Sequence, residues 1–253
     1  AVNDLMAGKI DALVTAPINK FNIQSDKFSY KGHTDYLQAK FNAPEVVMFM
    51  VSDVMRVGLV CEHVPLSQVP KYITKERILS KLKLINESLV ADFAVTNPKI
   101  AVLGLNPHAG DNGLLGSEEN EIIIPAIEAA QQAGIYALGP FSADGFFGSG
   151  QFTQFDAILA MYHDQGLAPF KALTAGQGVN FTAGLPIIRT SPAHGTAYDI
   201  VGKGIASCDS FRNALYVACD TYRNRATYKE LSENKLKPLS ASLDLTGDTE
   251  IEE

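Results

Sequence analysis

The 253-residue sequence has no tryptophan and only three cysteines. Cys61, Cys208 and Cys219 are scattered and form no CxxC, which argues against a disulfide framework or a thiolate zinc site and fits a reducing cytoplasm best. No apolar run approaches the roughly 20 residues of a membrane span, and no stretch reads as a signal peptide. Positive charge is scarce. Lys and Arg total 21 against 28 Asp and Glu, a net charge of -7. The chain as a whole therefore does not attract nucleic acid or an anionic membrane, and an anionic substrate would need a local basic pocket. No GxGxxG follows a strand, and neither GxxxxGK[ST] nor GxSxG occurs, so a Rossmann fingerprint, a P-loop and a nucleophile elbow are all unsupported.

What is present suits a globular α/β protein. Hydrophobic residues make up 46% of the chain, and 20 glycines and 12 prolines punctuate it. The size fits one large domain or two small ones. The stretch Asp156–Lys171 organises the rest. Ala157–Met161 is an apolar run of strand length, and Tyr162, His163, Asp164 and Gln165 follow at once. Side chains past the carboxyl end of a parallel strand face the crevice where α/β proteins bind ligands. Lys171 lies just beyond what reads as a turn at Pro169.

The same arrangement recurs. Met55–Val60 reads as a strand ahead of His63, and Lys99–Leu105 as a strand ahead of His108. Ala12–Ala16, Glu45–Val51, Val179–Thr182 and Pro186–Arg189 complete the predicted strands. Helices are expected over Thr34–Phe41, Thr74–Asp92, Ser117–Ala133 and Phe211–Tyr228. The second of these places Ile78, Leu82, Ile85 and Leu89 on one face. Asp111–Gly116 reads as a glycine-rich turn, and Gly139–Gly145 as a loop in which Asp144 is available to a site. From Glu230 the sequence reads as a polar, loosely ordered tail. The opening helix has no cap before Ala1, so the chain reads as part of a longer protein.

All five histidines, His33, His63, His108, His163 and His194, fall in predicted loops. Three converging imidazoles can hold a divalent cation and leave positions open for substrate. Local hydrogen bonding of each histidine is the competing reading, because no HExxH-type spacing occurs. Asp164 reads as a fourth ligand, an outer partner of a histidine, or a turn carboxylate. Thr34 near a helix start reads either as a contributor to an anion site or as a plain N-cap. Lys31, Lys171 and Arg189 lie near glycines and would suit phosphate or carboxylate.

ALVTAPINK (12–20), GHTDYL (32–37), LGLNPHAGDNGLLGSEE (103–119), YHDQGLAPFK (162–171) and VNFTAGLPIIRTSPAHGTAYDIVGKG (179–204) together resemble the 4-hydroxythreonine-4-phosphate dehydrogenase (PdxA) family. The resemblance runs to about Tyr228. It implies an isocitrate/isopropylmalate dehydrogenase-like fold, two α/β domains around a cleft, within a catalytic region 1–228 followed by the polar tail 229–253. It implies a homodimer with active sites at the interface. A divalent metal, with zinc favoured over magnesium, manganese or cobalt, would be held by His63, His108 and His163 drawn from both subunits. A small phosphorylated substrate would meet His33, Thr34, Lys171, Asn180 and Arg189. HGTAYDIVGKG is similar to a stretch that lies against NAD in the isopropylmalate dehydrogenases, making His194, Gly195 and Asp199 candidates for contact with NAD or NADP. Lys171, Asp144 and Asp164 are the candidates for moving protons. The implied reaction is oxidation and decarboxylation of 4-(phosphooxy)-L-threonine. A sibling dehydrogenase for threonate or erythronate 4-phosphate, and a non-catalytic binding fragment, are the alternatives.

Overall fold

The structure, a computed structural model, describes residues 1–26 and 28–233. Eight strands form one mixed sheet: β1 (Ala12–Val14), β2 (Val47–Val51), β3 (Arg56–Leu59), β4 (Lys99–Leu103), β5 (Tyr136–Phe141), β6 (Ala157–Ala160), β7 (Val179–Ala183) and β8 (Ile188–Pro192). Their order is β1-β8-β7-β2-β3-β6-β4-β5. The block β3-β6-β4-β5 is parallel, whereas β2 runs against both β3 and β7. The central strands β2 and β6 are buried at every position, as strands covered on both faces must be.

Helices clothe both faces: α1 (Val2–Met6), α2 (His33–Lys40), α3 (Val69–Tyr72), α4 (Lys75–Ala91), α5 (Ile124–Gln132), α6 (Ala143–Gly148), α7 (His163–Thr174) and α8 (Asp209–Glu233). Thr74 caps α4 by accepting the Arg77 N–H at 3.3 Å. Ile78, Leu82, Ile85 and Leu89 repeat at helical spacing and are fully buried against the sheet. Burial of each such side chain contributes about 1.5–3 kcal/mol. The opposite face packs Leu167 and Phe170 of α7 and Phe146 of α6 against Val57, Leu59, Ile158 and Ala160. Gly166 lets α7 sit this close, since a Cβ there would stand 2.7 Å from Val57 Cγ1.

Several expectations are corrected. The residues after Met161 do not leave the strand as a loop: α7 begins at His163 and continues through Pro169, so there is no turn before Lys171. Leu167, Phe170 and Thr174, spaced as one helical face, are buried and hold the helix on the sheet despite the proline. The expected loop at Gly139–Gly145 contains the end of β5 and the start of α6. β5 is an edge strand, where proline is tolerated because its missing N–H breaks no central ladder. The helix expected from Ser117 opens instead with a π-helical turn, Glu119–Ile123. β8 runs further than Arg189, to Pro192. Glu230–Glu233 belong to α8 and not to a loose tail, and the rest of that expected tail lies outside the described residues.

Candidate active site

Because β3, β4 and β6 run parallel, their carboxyl ends open along one edge of the sheet. His63 and His163 meet there, with ring centroids 5.7 Å apart. Two imidazoles on one tetrahedral cation have centroids roughly 5 Å apart, given metal–nitrogen bonds of about 2.0–2.1 Å. The observed separation is close to that value. His163 Nδ1 lies 2.7 Å from Asp164 Oδ1, and His63 Nδ1 lies 3.8 Å from Glu62 Oε2. Burial, with Lys20 nearby, holds His63 below the usual imidazole pKa of 6.5, favouring the neutral form that a metal requires. His163 stands at the first position of α7 rather than in a loop, as His33 does in α2.

His108 is placed differently. Residues 108–112 all have positive φ, with His108 at 54° and Asn112 at 55°. Left-handed backbone costs about 1–2 kcal/mol per non-glycine residue, and such strain concentrates at functional sites. The expected glycine-rich turn is thus a left-handed one. Among the described residues, no three His, Cys, Asp or Glu within one chain group closely enough to hold a metal, so His108 does not complete a set with His63 and His163. His108 instead influences Asp144, whose carboxyl is held below its ordinary pKa first by the Ser142 hydroxyl, then by the Gly145 N–H, with His108 adding to this.

The second centre is Arg189. The residue is 4% exposed. Nη2 and Nε donate to Thr15 Oγ1 at 2.9 and 3.2 Å, and Nη1 to Thr182 Oγ1 at 3.3 Å. His33 Nδ1 lies 3.4 Å from Nη2. No carboxylate among the described residues pairs with this guanidinium, and burial lowers its pKa to about 10. Burial and Arg189 together lower the pKa of His33. A buried cation left unpaired is expensive unless a ligand anion completes it. Asn180 shares a sheet face with Thr182, and its Oδ1 is buried without a hydrogen-bond partner among the described residues.

Thr34 is the second residue of α2. Gly32 occupies the cap, so Thr34 is not the N-cap, and no side chain caps the first-turn N–H groups. Lys171 is exposed on α7, about 12 Å of helical rise beyond His163, and makes no hydrogen bond or ion pair among the described residues. His194, Gly195 and Asp199 lie in an exposed segment, where His194 Nδ1 lies 2.8 Å from the Gly195 carbonyl oxygen. The structure adds residues that sequence reasoning missed: Thr15 and Thr182 at Arg189, and Lys20, Asp35 and Glu62 around His63. Thr15, Thr182 and Glu62 were signalled only as polar residues inside or directly after an apolar run, and Lys20 and Asp35 sit among polar neighbours.

The chain thus carries a buried guanidinium with no carboxylate partner among the described residues, next to His33, and a close His63–His163 pair past the ends of β3 and β6 in an α/β sheet. The family model "Pyridoxal phosphate biosynthetic protein PdxA" matches residues 1–218, and the chain belongs to that family. A 4-hydroxythreonine-4-phosphate dehydrogenase of Bacteroides thetaiotaomicron is 56% identical over 238 residues, 94% of this chain and 65% of that protein. The crystal structure of 4-hydroxythreonine-4-phosphate dehydrogenase from Klebsiella pneumoniae superposes with a TM-score of 0.77 at 35% identity, covering 87% of this chain and 67% of that one. Isocitrate dehydrogenase from Methylococcus capsulatus shares the fold at 12% identity, with a TM-score of 0.51 over 88% of this chain and 72% of that one. The chain spans about two thirds of the length of these relatives.

Proposed function

We propose that this chain forms the greater part of an NAD-dependent 4-hydroxythreonine-4-phosphate dehydrogenase that serves pyridoxal phosphate biosynthesis. The observation that carries the reading is the buried, carboxylate-free Arg189 guanidinium against His33. It supplies the local basic pocket that an acidic protein needs for a phosphorylated substrate. The reaction removes hydride and a proton from the C3 alcohol, then breaks the C1–C2 bond, releasing CO2 while C2 takes up a proton. The product is 3-amino-2-oxopropyl phosphate.

His63 and His163 would hold a divalent cation, with His108 of a second copy completing the set in a homodimer. When bound, the cation would draw charge from the reacting alcohol, and NAD or NADP would accept the hydride. The protein's own groups do the rest. Arg189, His33 and the uncapped N–H groups at Thr34 fix the phosphate, and Asn180 offers its carboxamide to the polar end of the substrate. Asp164 orients the His163 ring. Lys171 and Asp144 remain candidates for proton transfer, Lys171 acting from an exposed position that a closing partner would cover. The segment with His194, Gly195 and Asp199 supplies the adenosine side of the cofactor site. The two-subdomain division around the cleft and a cytoplasmic setting belong to the same reading. The test is NADH production from 4-(phosphooxy)-L-threonine with added Zn2+, Co2+, Mn2+ or Mg2+. Absence of turnover with every metal, in a folded dimer, would falsify the proposal.

A further inference from the structure

Glu119 is 2% exposed, and no Lys or Arg among the described residues pairs with it. Its Oε1 accepts the backbone N–H groups of Leu105 and Asn106, both at 2.7 Å, and its Oε2 accepts from Asn106 Nδ2 at 3.0 Å. Glu118 Oε2 accepts from the same Nδ2 at 2.8 Å. Leu105 and Asn106 are the exit of β4, directly ahead of Pro107 and His108. The carboxylate also touches the middle of the left-handed turn. A Cβ on Gly110, whose φ is +80°, would stand 2.6 Å from Oε2. One on Gly104 would stand 3.1 Å from Oε1. A single buried charge thus grips the segment before the turn and packs against its centre.

A buried carboxylate without a cation is unfavourable unless several donors hold it, and an apolar side chain would fill the same space without that penalty. Here the three donors all belong to the two residues that aim the turn. We infer that Glu119 is the positioning residue for His108: it fixes the β4 exit so that the strained turn holds one orientation. Glu119 touches neither substrate nor cation in this assignment. Its functional meaning rests on the reading of His108 as a metal ligand, but its structural content does not.

The test uses Glu119→Gln and Glu119→Asp in the whole chain. Glutamine keeps the volume and one acceptor for the backbone pair, but sets an NH2 group against Asn106 Nδ2. Aspartate keeps the charge and withdraws it by one methylene, a second route should Glu119→Gln fail to fold. In metal-free protein, the His108 ring resonances, identified by their loss in His108→Ala, should shift or broaden in both variants, while those of His63 and His163 stay in place. A merely structural role would move all three sets together, and that result, or unchanged His108 signals, overturns the inference. Co2+ titration read by visible absorption should show affinity weakened by about 10- to 100-fold in Glu119→Gln, with KM for the phosphorylated substrate nearly unchanged. Unaltered Co2+ affinity in Glu119→Gln also overturns it. If the unsubstituted protein binds no Co2+ while the His108 signals still respond, the metal reading fails and the positioning role stands.

Discussion

The Arg189 centre and the segment around His194 differ in how far one chain completes them. Arg189 is buried and fixed by Thr15, Thr182 and His33 before any ligand arrives. The other segment leaves Tyr198, Val201 and Ile205 more than 60% exposed, and among the described residues His194 bonds only to its neighbour. A charged group recognises an anion best when its dipoles are already organised and dry. Apolar surface displayed in this way gains from burial only when a second body covers it. The histidine centre lies between these extremes, with two imidazoles together and the third apart.

The largest expected effect tests that middle case. His163→Ala and His108→Ala should each lower turnover by about 10^3-fold, since a catalytic cation contributes several kcal/mol to the barrier. Mixing the two inactive variants under conditions that exchange subunits should restore activity, because one of the two sites in a mixed dimer would be intact. If both variants are inactive but mixing restores nothing, the imidazoles are not drawn from two chains, and the contrast between complete and incomplete centres loses its cause.

Arg189→Ala should act next most strongly. Removing charge-assisted hydrogen bonds of about 1.5–3 kcal/mol should raise KM for the phosphorylated substrate by roughly 10- to 150-fold, with kcat less affected. Arg189→Lys should recover little, because an ammonium cannot reproduce the planar fork that Thr15 and Thr182 hold. An unchanged KM in Arg189→Ala would remove the centre from the substrate site.

His33 gives a smaller, pH-dependent effect. Its pKa in the folded protein lies below 6.5, chiefly through burial and then through Arg189. As pH falls below 6.5 the unfolded chain takes up this proton before the folded one does, so stability should fall on acidification through that window. His33→Gln should flatten this part of the Tm-against-pH curve. Equal slopes in both proteins would mean that the imidazole is not constrained as the structure shows.

Legibility followed the same division. Local chemistry was readable: the buried face of α4 appeared directly in the spacing of Ile78, Leu82, Ile85 and Leu89, and each strand-then-histidine step was visible as an apolar run meeting polar residues. What failed was punctuation read too literally. Pro169 and Gly166 looked like a loop, yet tertiary packing of Leu167 and Phe170 holds a helix through them. Gly139 and Pro140 hid an edge strand. Thr15, Thr182 and Glu119 were missed because their roles depend on partners far away in sequence or on backbone N–H groups, neither of which leaves a pattern.

The smallest expected effect addresses the exposed segment. Asp199 makes no hydrogen bond or ion pair among the described residues, and it lies between exposed Tyr198 and half-buried Ile200 in a single 3-10 turn. If this turn meets the cofactor, Asp199→Asn should raise KM for NAD by about 2- to 10-fold, the worth of one hydrogen bond, and leave KM for the phosphorylated substrate alone. Arg189→Ala should show the reverse selectivity. Should Asp199→Asn instead shift both constants equally, the exposed segment and the buried guanidinium serve one pocket. The difference in their burial would then reflect only how much of that pocket a single chain builds.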